Sequence, residues 1–265
     1  MTSYPPPVDY LIGLGNPREL PSKELDLQTL GIGKEHVPLL LEMLADPQFE
    51  DESNEGARVW THVHVWRTLG ELRALEAVEP LLRFIEKYGR MWSDWILKEF
   101  PEICAQIGPK ALPLLVDYLM KPPVVDMYAQ STIIQAVAKI GAAYPEMRDA
   151  TVATLTTILH RHGENDKFLN GSIIGNLLDL DAVEALPVIE RAFAAGCVDE
   201  FVAGDWDEVQ AELGLKTRSP FMKRPVAREI DIPVLREVRE RRENKHFKPV
   251  ELSPQLPLEL EFKSE

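Results

Sequence analysis

At residues 112–119 the chain reads Leu112-Pro-Leu-Leu-Val-Asp-Tyr-Leu119, with apolar side chains at positions i, i+3, i+4 and i+7. This spacing is typical of one buried face of an α-helix. The same stripe recurs at Val37, Leu40, Leu41 and Leu44, at Val78, Leu81, Leu82 and Ile85, and in weaker form at Val152, Leu155, Thr156 and Leu159 and at Leu186, Ile189 and Phe193. Successive stripes begin 41, 34, 40 and 34 residues apart, a period that predicts stacked pairs of helices.

Prolines and glycines mark the turn before each stripe. Four striped helices have a proline in or next to the first turn, where its missing N–H and fixed φ are tolerated; these are Pro38, Pro80, Pro113 and Pro187. We expect a glycine to end the preceding helix as its C-cap, at Gly31, Gly70, Gly108 and Gly141. Partner helices are predicted around residues 56–70, 92–107, 126–140 and 166–180, and a kink is predicted at Pro101.

The pattern predicts an all-α fold, a right-handed α-α superhelix of about five helical pairs that occupies residues 31–215. An irregular N-terminal lead-in is expected over residues 1–30 and a proline-rich, locally basic, extended tail over residues 216–265, with a helix-prone segment near 233–243. Asp205 and Glu208 have the spacing of a capping box, so we predict that a last short helix begins there and covers the end of the superhelix.

Charge is unevenly distributed along the chain, whose formal net charge is −14. Residues 1–215 hold 17 basic and 34 acidic side chains, a net of −17, whereas residues 216–265 hold 12 and 9, a net of +3. An acidic body disfavours nucleic acid as a partner, because nucleic-acid affinity depends largely on the neutralisation of phosphates. No apolar run approaches the roughly 18 residues of a membrane helix, and two cysteines are too few for a disulfide framework. We expect a cytoplasmic protein that does not interact with a membrane.

Three segments carry a resemblance to a known family. They are Leu30-Gly-Ile-Gly-Lys-Glu-His-Val-Pro38, Trp60-Thr-His-Val-His-Val-Trp-Arg67 with Leu69-Gly70, and Gly204-Asp-Trp-Asp-Glu-Val-Gln-Ala-Glu-Leu-Gly-Leu215. Over about residues 8–215 the chain resembles bacterial HEAT-repeat proteins of the HEAT-like, or PBS-lyase-type, kind. The resemblance implies a HEAT-like solenoid and no established activity. Some relatives end in a small metal-binding module of the SEC-C type, whereas this tail contains no cysteine.

One glycine-rich stretch and one pair of histidines suggest a nucleotide or metal site, and each also has a structural explanation. The stretch Ile12-Gly-Leu-Gly-Asn-Pro17 resembles the start of a dinucleotide loop and the opening of peptidyl-tRNA hydrolases, but no strand–helix unit surrounds it, so a turn is favoured. His62 and His64 are candidate metal ligands, but two residues apart on a helix they point in different directions, so packing is favoured.

Two further clusters are ambiguous in the same way. His160-Arg-His-Gly-Glu-Asn-Asp166 gathers possible metal ligands at the end of a predicted helix, where basic residues also suit the helix dipole. Asp94 between Trp92 and Trp95 resembles the aromatic and carboxylate groups of HEAT-like DNA glycosylases, with Trp60 and Trp66 nearby. Core packing explains at least two of these tryptophans.

The preferred functional hypothesis is a protein-interaction module or scaffold with no cofactor, no metal and no enzymatic activity. Its concave face is expected to bind a protein or peptide, one with a basic surface. The alternative is an enzyme or enzyme subunit of HEAT-like type, chromophore-lyase-like or DNA-glycosylase-like. If the striped helices line the concave side, the partner contacts residues that flank the buried stripes, namely Glu42, Arg83, Glu86, Asp117, Tyr118 and Arg161.

Overall fold

The structure, a computed structural model, describes residues 3–20, 25–49, 56–88, 93–121 and 127–215, with only the backbone described at 56, 57, 88 and 93–95. These ranges contain twelve α-helices and no β-strand, which confirms the predicted all-α fold class. The tail over residues 216–265, with its helix-prone segment, lies outside the described residues.

The longer helices follow one another along the chain in pairs joined by short turns. The striped, or second, helices are α2 (Val37–Ala45), α4 (Val78–Tyr88), α6 (Leu112–Met120), α8 (Arg148–Leu159) and α10 (Leu186–Ala194). Their partners, the first helices, are α3 (Thr61–Glu71), α5 (Ser93–Ile107), α7 (Met127–Ala143) and α9 (Lys167–Asp179). Short helices α1 (Leu27–Leu30), α11 (Glu200–Ala203) and α12 (Trp206–Glu212) lie at the two ends of this series. Helix α5 continues through Pro101, which is buried inside it.

A short 3-10 turn leads directly into each of the five striped helices. The five turns are Lys34–His36, Leu75–Ala77, Pro109–Ala111, Pro145–Met147 and Val183–Ala185. Their starts lie 41, 34, 36 and 38 residues apart, so the same backbone unit repeats with the period of the stripes. The prolines of four second helices lie in the first turn as predicted, while α8 has its proline, Pro145, in the 3-10 turn instead.

The stripes form the core of the repeat. The second position of each stripe is completely buried in all five second helices, and these residues are Leu40, Leu81, Leu115, Leu155 and Ile189. The flanking positions are less uniform, since Leu41, Val116 and Leu119 are only partly buried. Each stripe therefore has one fixed core contact, and its edges vary with the neighbouring helices.

The helices pack in two rows. The first helices contact one another in chain order, α3 with α5, α5 with α7 and α7 with α9, and α9 then packs on α11. Among the second helices, α2 contacts α4, α4 contacts α6 and α8 contacts α10. Helices one repeat period apart thus contact one another along the described part of the chain.

Two of the four predicted glycine caps are wrong. Gly31 ends α1 with φ 71°, and Gly108 follows α5 with φ 99°. Gly70 and Gly141 instead lie inside α3 and α7, where a neighbouring helix approaches closely. A Cβ built on Gly141 would lie 2.8–3.0 Å from side-chain atoms of Thr151 on α8, so the absence of a side chain allows this contact.

Both ends of the described chain pack on the repeats. Val8–Ile12 forms a 3-10 turn against α3, with Val8 and Leu11 fully buried. At the other end the predicted capping box is confirmed, because the Asp205 carboxylate accepts from the Glu208 N–H at 2.8 Å and the Glu208 carboxylate accepts from the Asp205 N–H at 3.1 Å. Trp206 of α12 contacts Phe193 of α10 with ring centroids 5.5 Å apart, which covers part of the last striped helix.

Candidate functional site

The predicted binding residues lie on or next to four different second helices. All but Tyr118 are exposed, and Tyr118 is partly buried. Glu42 is on α2, Arg83 and Glu86 are on α4, Asp117 and Tyr118 are on α6, and Arg161 is in the turn after α8.

The structure joins two of these residues directly. The Tyr118 hydroxyl donates to Glu86 Oε1 at 2.7 Å and so connects α6 to α4. Burial of the phenol, followed by this bond and the charge of Glu86, raises the pKa of Tyr118 above its usual value. Tyr118 therefore stays a hydrogen-bond donor at neutral pH. Arg83 pairs instead with Glu79 of its own helix at 3.3 Å, and both side chains are largely exposed.

A second tyrosine marks the start of the second-helix row. The Tyr4 hydroxyl donates to Asp46 Oδ2 at 2.7 Å, just after α2. Burial, the Asp46 bond and the charges of Asp46 and Glu42 raise the pKa of Tyr4 above its usual value. Glu42 thus belongs to a small acidic cluster at this end of the row.

The glycine-rich stretch near the N-terminus is a loop attached to α3. His64 Nε2 lies 2.8 Å from the backbone oxygen of Gly15, which has φ 74°. Burial of the imidazole lowers the pKa of His64, the bond to Gly15 opposing this shift, so the neutral ring is favoured. The part of the chain that the structure describes contains no strand next to this loop. The contact between His64 and Gly15 holds this loop on α3.

The histidine clusters are also used in packing and turns. The His62 ring is completely buried and makes edge contacts with Phe84 and Phe49, at centroid distances of 5.0 and 6.0 Å. In the turn after α8, Asn165 Nδ2 donates to the Ile158 oxygen at 3.0 Å and Asp166 caps α9. Within the described ranges no group of three or more His, Cys, Asp or Glu side chains is arranged to hold a metal ion.

The tryptophan–carboxylate cluster is only partly within the described residues. Trp92 and the side chains of Asp94 and Trp95 lie outside them. Trp66 is completely buried and its Nε1 donates to Glu99 Oε2 at 2.8 Å, while Trp60 is partly buried against the core. Trp66 is therefore a packing residue with one buried hydrogen bond.

Charged pairs that the sequence did not predict connect the first helices. Glu99 of α5 forms a bidentate pair with Arg67 of α3, with Arg67 Nε donating to Oε2 at 2.9 Å. The side chain of Arg67 is 11% exposed and that of Glu99 is 21% exposed. Glu102 of α5 pairs with Lys139 of α7. These partners are 32 and 37 residues apart, so no short-range pattern reveals them.

Three aromatic residues form a second candidate surface, which we call the aromatic strip: Tyr128, Phe168 and Phe201. Each is the second residue of its helix, in α7, α9 and α11 respectively. Tyr128 and Phe201 are 47% and 52% exposed, and the rings of Tyr128 and Phe168 meet edge to face at 5.0 Å. The Asp199 N–H donates to the Lys167 oxygen at 3.1 Å, so the start of α11 lies beside the start of α9.

A sequence pattern for this strip was present but not recognised. Each aromatic residue follows an aspartate by two positions, at Asp126, Asp166 and Asp199, and the aromatic positions are 40 and 33 residues apart. The described aspartates cap their helices, with Phe168 N–H donating to Asp166 at 2.7 Å and Phe201 N–H donating to Asp199 at 2.9 Å. An Asp-x-aromatic search at the repeat period would have found it.

Comparison with known proteins gives no relative: no family model, curated protein or solved structure matches the chain. None of the helices within the described ranges has the length and apolar character needed to cross a bilayer.

Proposed function

We propose that the chain is a HEAT-like binding module, a right-handed α-α superhelix that acts as a scaffold and binds a protein or peptide with a basic surface. Two rows of helices with exposed polar flanks support the architecture, because stacked helical repeats present long surfaces suited to extended partners. The proposed compartment is the cytoplasm, in keeping with the two free cysteines, Cys104 and Cys197.

The charge of residues 1–215 carries the proposal. A net of −17 over this part of the chain attracts basic partners over long range and repels phosphate backbones. The proposed contact face is the exposed side of the second helices, formed by Glu42, Arg83, Glu86, Asp117, Tyr118 and Arg161. The bond between Tyr118 and Glu86 holds two of these side chains at a fixed place between α4 and α6.

The test measures binding of the full chain to a fluorescent lysine- and arginine-rich peptide at 50 and 300 mM NaCl. The variant Glu42→Gln/Glu86→Gln/Asp117→Asn should weaken binding about tenfold at low salt, because three exposed charge contacts contribute about 0–1 kcal/mol each. Wild-type affinity should fall at the higher salt, where exposed charges are screened within several ångströms.

The control variant removes the same number of charges elsewhere. Glu35, Glu76 and Glu146 are exposed and lie in three of the 3-10 turns. Their replacement by Gln should change affinity less than threefold (about 0.6 kcal/mol). Equal losses of peptide affinity in the two triple variants would overturn the proposed face. Preferential binding of duplex DNA over the basic peptide would overturn the proposed class of partner.

A further inference from the structure

The aromatic strip exposes two large aromatic side chains to solvent. Tyr128 and Phe201 are about half exposed. The rings follow the order of the packed helices α7, α9 and α11, so they lie along the row rather than around one helix. Rings of consecutive repeats therefore form one surface, at the same position in each repeat.

Carboxylates accompany these rings. Asp166 and Asp199 each accept their capping bond through Oδ1, so Oδ2 of neither takes part in that bond. Glu164 and Glu200 are exposed and lie within four residues of Phe168 and Phe201. Over residues 162–215 the chain has 12 acidic and 2 basic side chains, and the stretch 192–215 has six acidic and no basic ones. The strip is therefore flanked in sequence by four carboxylates and by one basic side chain, Lys167, which is exposed.

We propose that the aromatic strip binds an extended, arginine-rich segment of a partner protein. A guanidinium stacks on an aromatic face through cation–π attraction and at the same time donates to carboxylates, which matches this mixture of rings and acids. An extended chain suits the strip because it advances about 7 Å for every two residues, and alternate side chains then reach successive parts of a surface that crosses several helices. The proposal rests on the proposed function only for the positive charge of the partner, and it assigns a different surface.

The experiment measures the affinity of the full chain for a fluorescent 12-residue peptide of alternating arginine and serine. The variant Phe168→Leu/Phe201→Leu keeps apolar side chains and removes two rings. It should weaken binding about tenfold, which corresponds to ~1.4 kcal/mol, the sum expected for two exposed cation–π contacts. The matched control is Tyr10→Leu, which removes a ring that is 53% exposed in the N-terminal 3-10 turn, and it should leave the affinity within twofold.

Two comparisons keep the test independent of folding. Phe201→Leu alone changes a largely exposed side chain and should give about threefold weaker binding with an unchanged melting temperature. A peptide of alternating lysine and serine has the same charge and should bind several-fold more weakly than the arginine peptide, because lysine offers no planar group to stack.

The outcomes separate this inference from the proposed function. Wild-type affinity in Phe168→Leu/Phe201→Leu, combined with a loss in the second-helix triple variant, would overturn the aromatic strip and leave the proposed function standing. Equal affinity for the arginine and lysine peptides would also overturn stacking as the mode of recognition. Failure of both peptides to bind the full chain would overturn both proposals.

Discussion

Glu99→Gln should destabilise the protein far more than the same change at an exposed ion pair. Glu99 accepts hydrogen bonds from Arg67 of α3 and from the indole of Trp66, and it does so in a site where Arg67 is only 11% and Glu99 only 21% exposed. Glutamine keeps the size of the side chain and one oxygen acceptor. The substitution therefore removes the charge and leaves the Arg67 guanidinium desolvated without its carboxylate.

The magnitude follows from the burial of the pair. Breaking a buried ion pair by removing one partner costs about 3–5 kcal/mol, and an exposed pair contributes about 0–1 kcal/mol. The Arg67–Glu99 pair lies near the buried limit, while glutamine retains part of the hydrogen bonding, so we expect a loss of about 2–3 kcal/mol in the free energy of unfolding. For a body of this size that loss corresponds to a fall of roughly 5–10 °C in melting temperature.

The assay is urea unfolding followed by helical circular dichroism, with Glu79→Gln as the control. Glu79 pairs with Arg83 on the surface of α4, where the two side chains are 65% and 72% exposed, and its replacement should cost less than about 0.5 kcal/mol. The double variant Arg67→Met/Glu99→Leu should lose less stability than the two single changes together, because no unpaired charge remains. Equal losses for Glu99→Gln and Glu79→Gln, or strict additivity in the cycle, would refute this reasoning.

Three further substitutions test the core, a helix contact and a titrating group. Leu115→Ala should lower the free energy of unfolding by about 2–5 kcal/mol since the side chain is completely buried, whereas Met120→Ala, at a 47% exposed side chain, should cost under about 1 kcal/mol in the same urea assay. Gly141→Ala should cost about 1–3 kcal/mol through its contact with α8, while Gly163→Ala, with no atom within 4 Å of the new Cβ, should change the melting temperature little; equal shifts would contradict the close approach. The lowered pKa of His64 means that the unfolded chain takes up a proton first as the pH falls below about 6.5, so stability decreases there, and His64→Gln should show a smaller decrease in melting temperature between pH 7.5 and 5.5.

The sequence predicted the helices well because their pattern is local. An apolar residue every three or four positions identifies a buried face without knowledge of what covers it, and Leu115 and the equivalent residues of the other stripes are completely buried. The capping box at Asp205 could also be predicted from the sequence, since both of its bonds are formed within four residues.

The errors and omissions arise from contacts between distant segments. Gly70 and Gly141 look like helix ends in sequence, but a neighbouring helix explains them, and only the fold brings that neighbour close. The positive φ values in the turns after α3 and α9 occur at Arg73 and Asp181, which no glycine marks. The pair of Arg67 with Glu99 is likewise invisible to a search for charges three or four residues apart.

The candidate site was predictable only in part. Exposure of five of the six proposed residues follows from their position beside a buried stripe, and Tyr118 departs because it turns toward Glu86 of the preceding repeat. The apolar stripes identify the second helices, whereas the residues of the aromatic strip begin α7, α9 and α11. The stripes therefore do not predict the aromatic strip.

The contacts between successive repeats differ although the backbone unit recurs. Gly171 of α9 lies where a Cβ would be 2.9 Å from the Asp199 oxygen beside α11, and the Ser131 and Ser172 hydroxyls meet at 2.6 Å between α7 and α9. These two junctions thus differ from each other in shape and polarity. The units are consequently not interchangeable: a chain with the same repeats in shuffled order would bring a methyl group against a backbone oxygen, or a hydroxyl against hydrocarbon. A few small residues at these contacts therefore restrict which repeats can be neighbours.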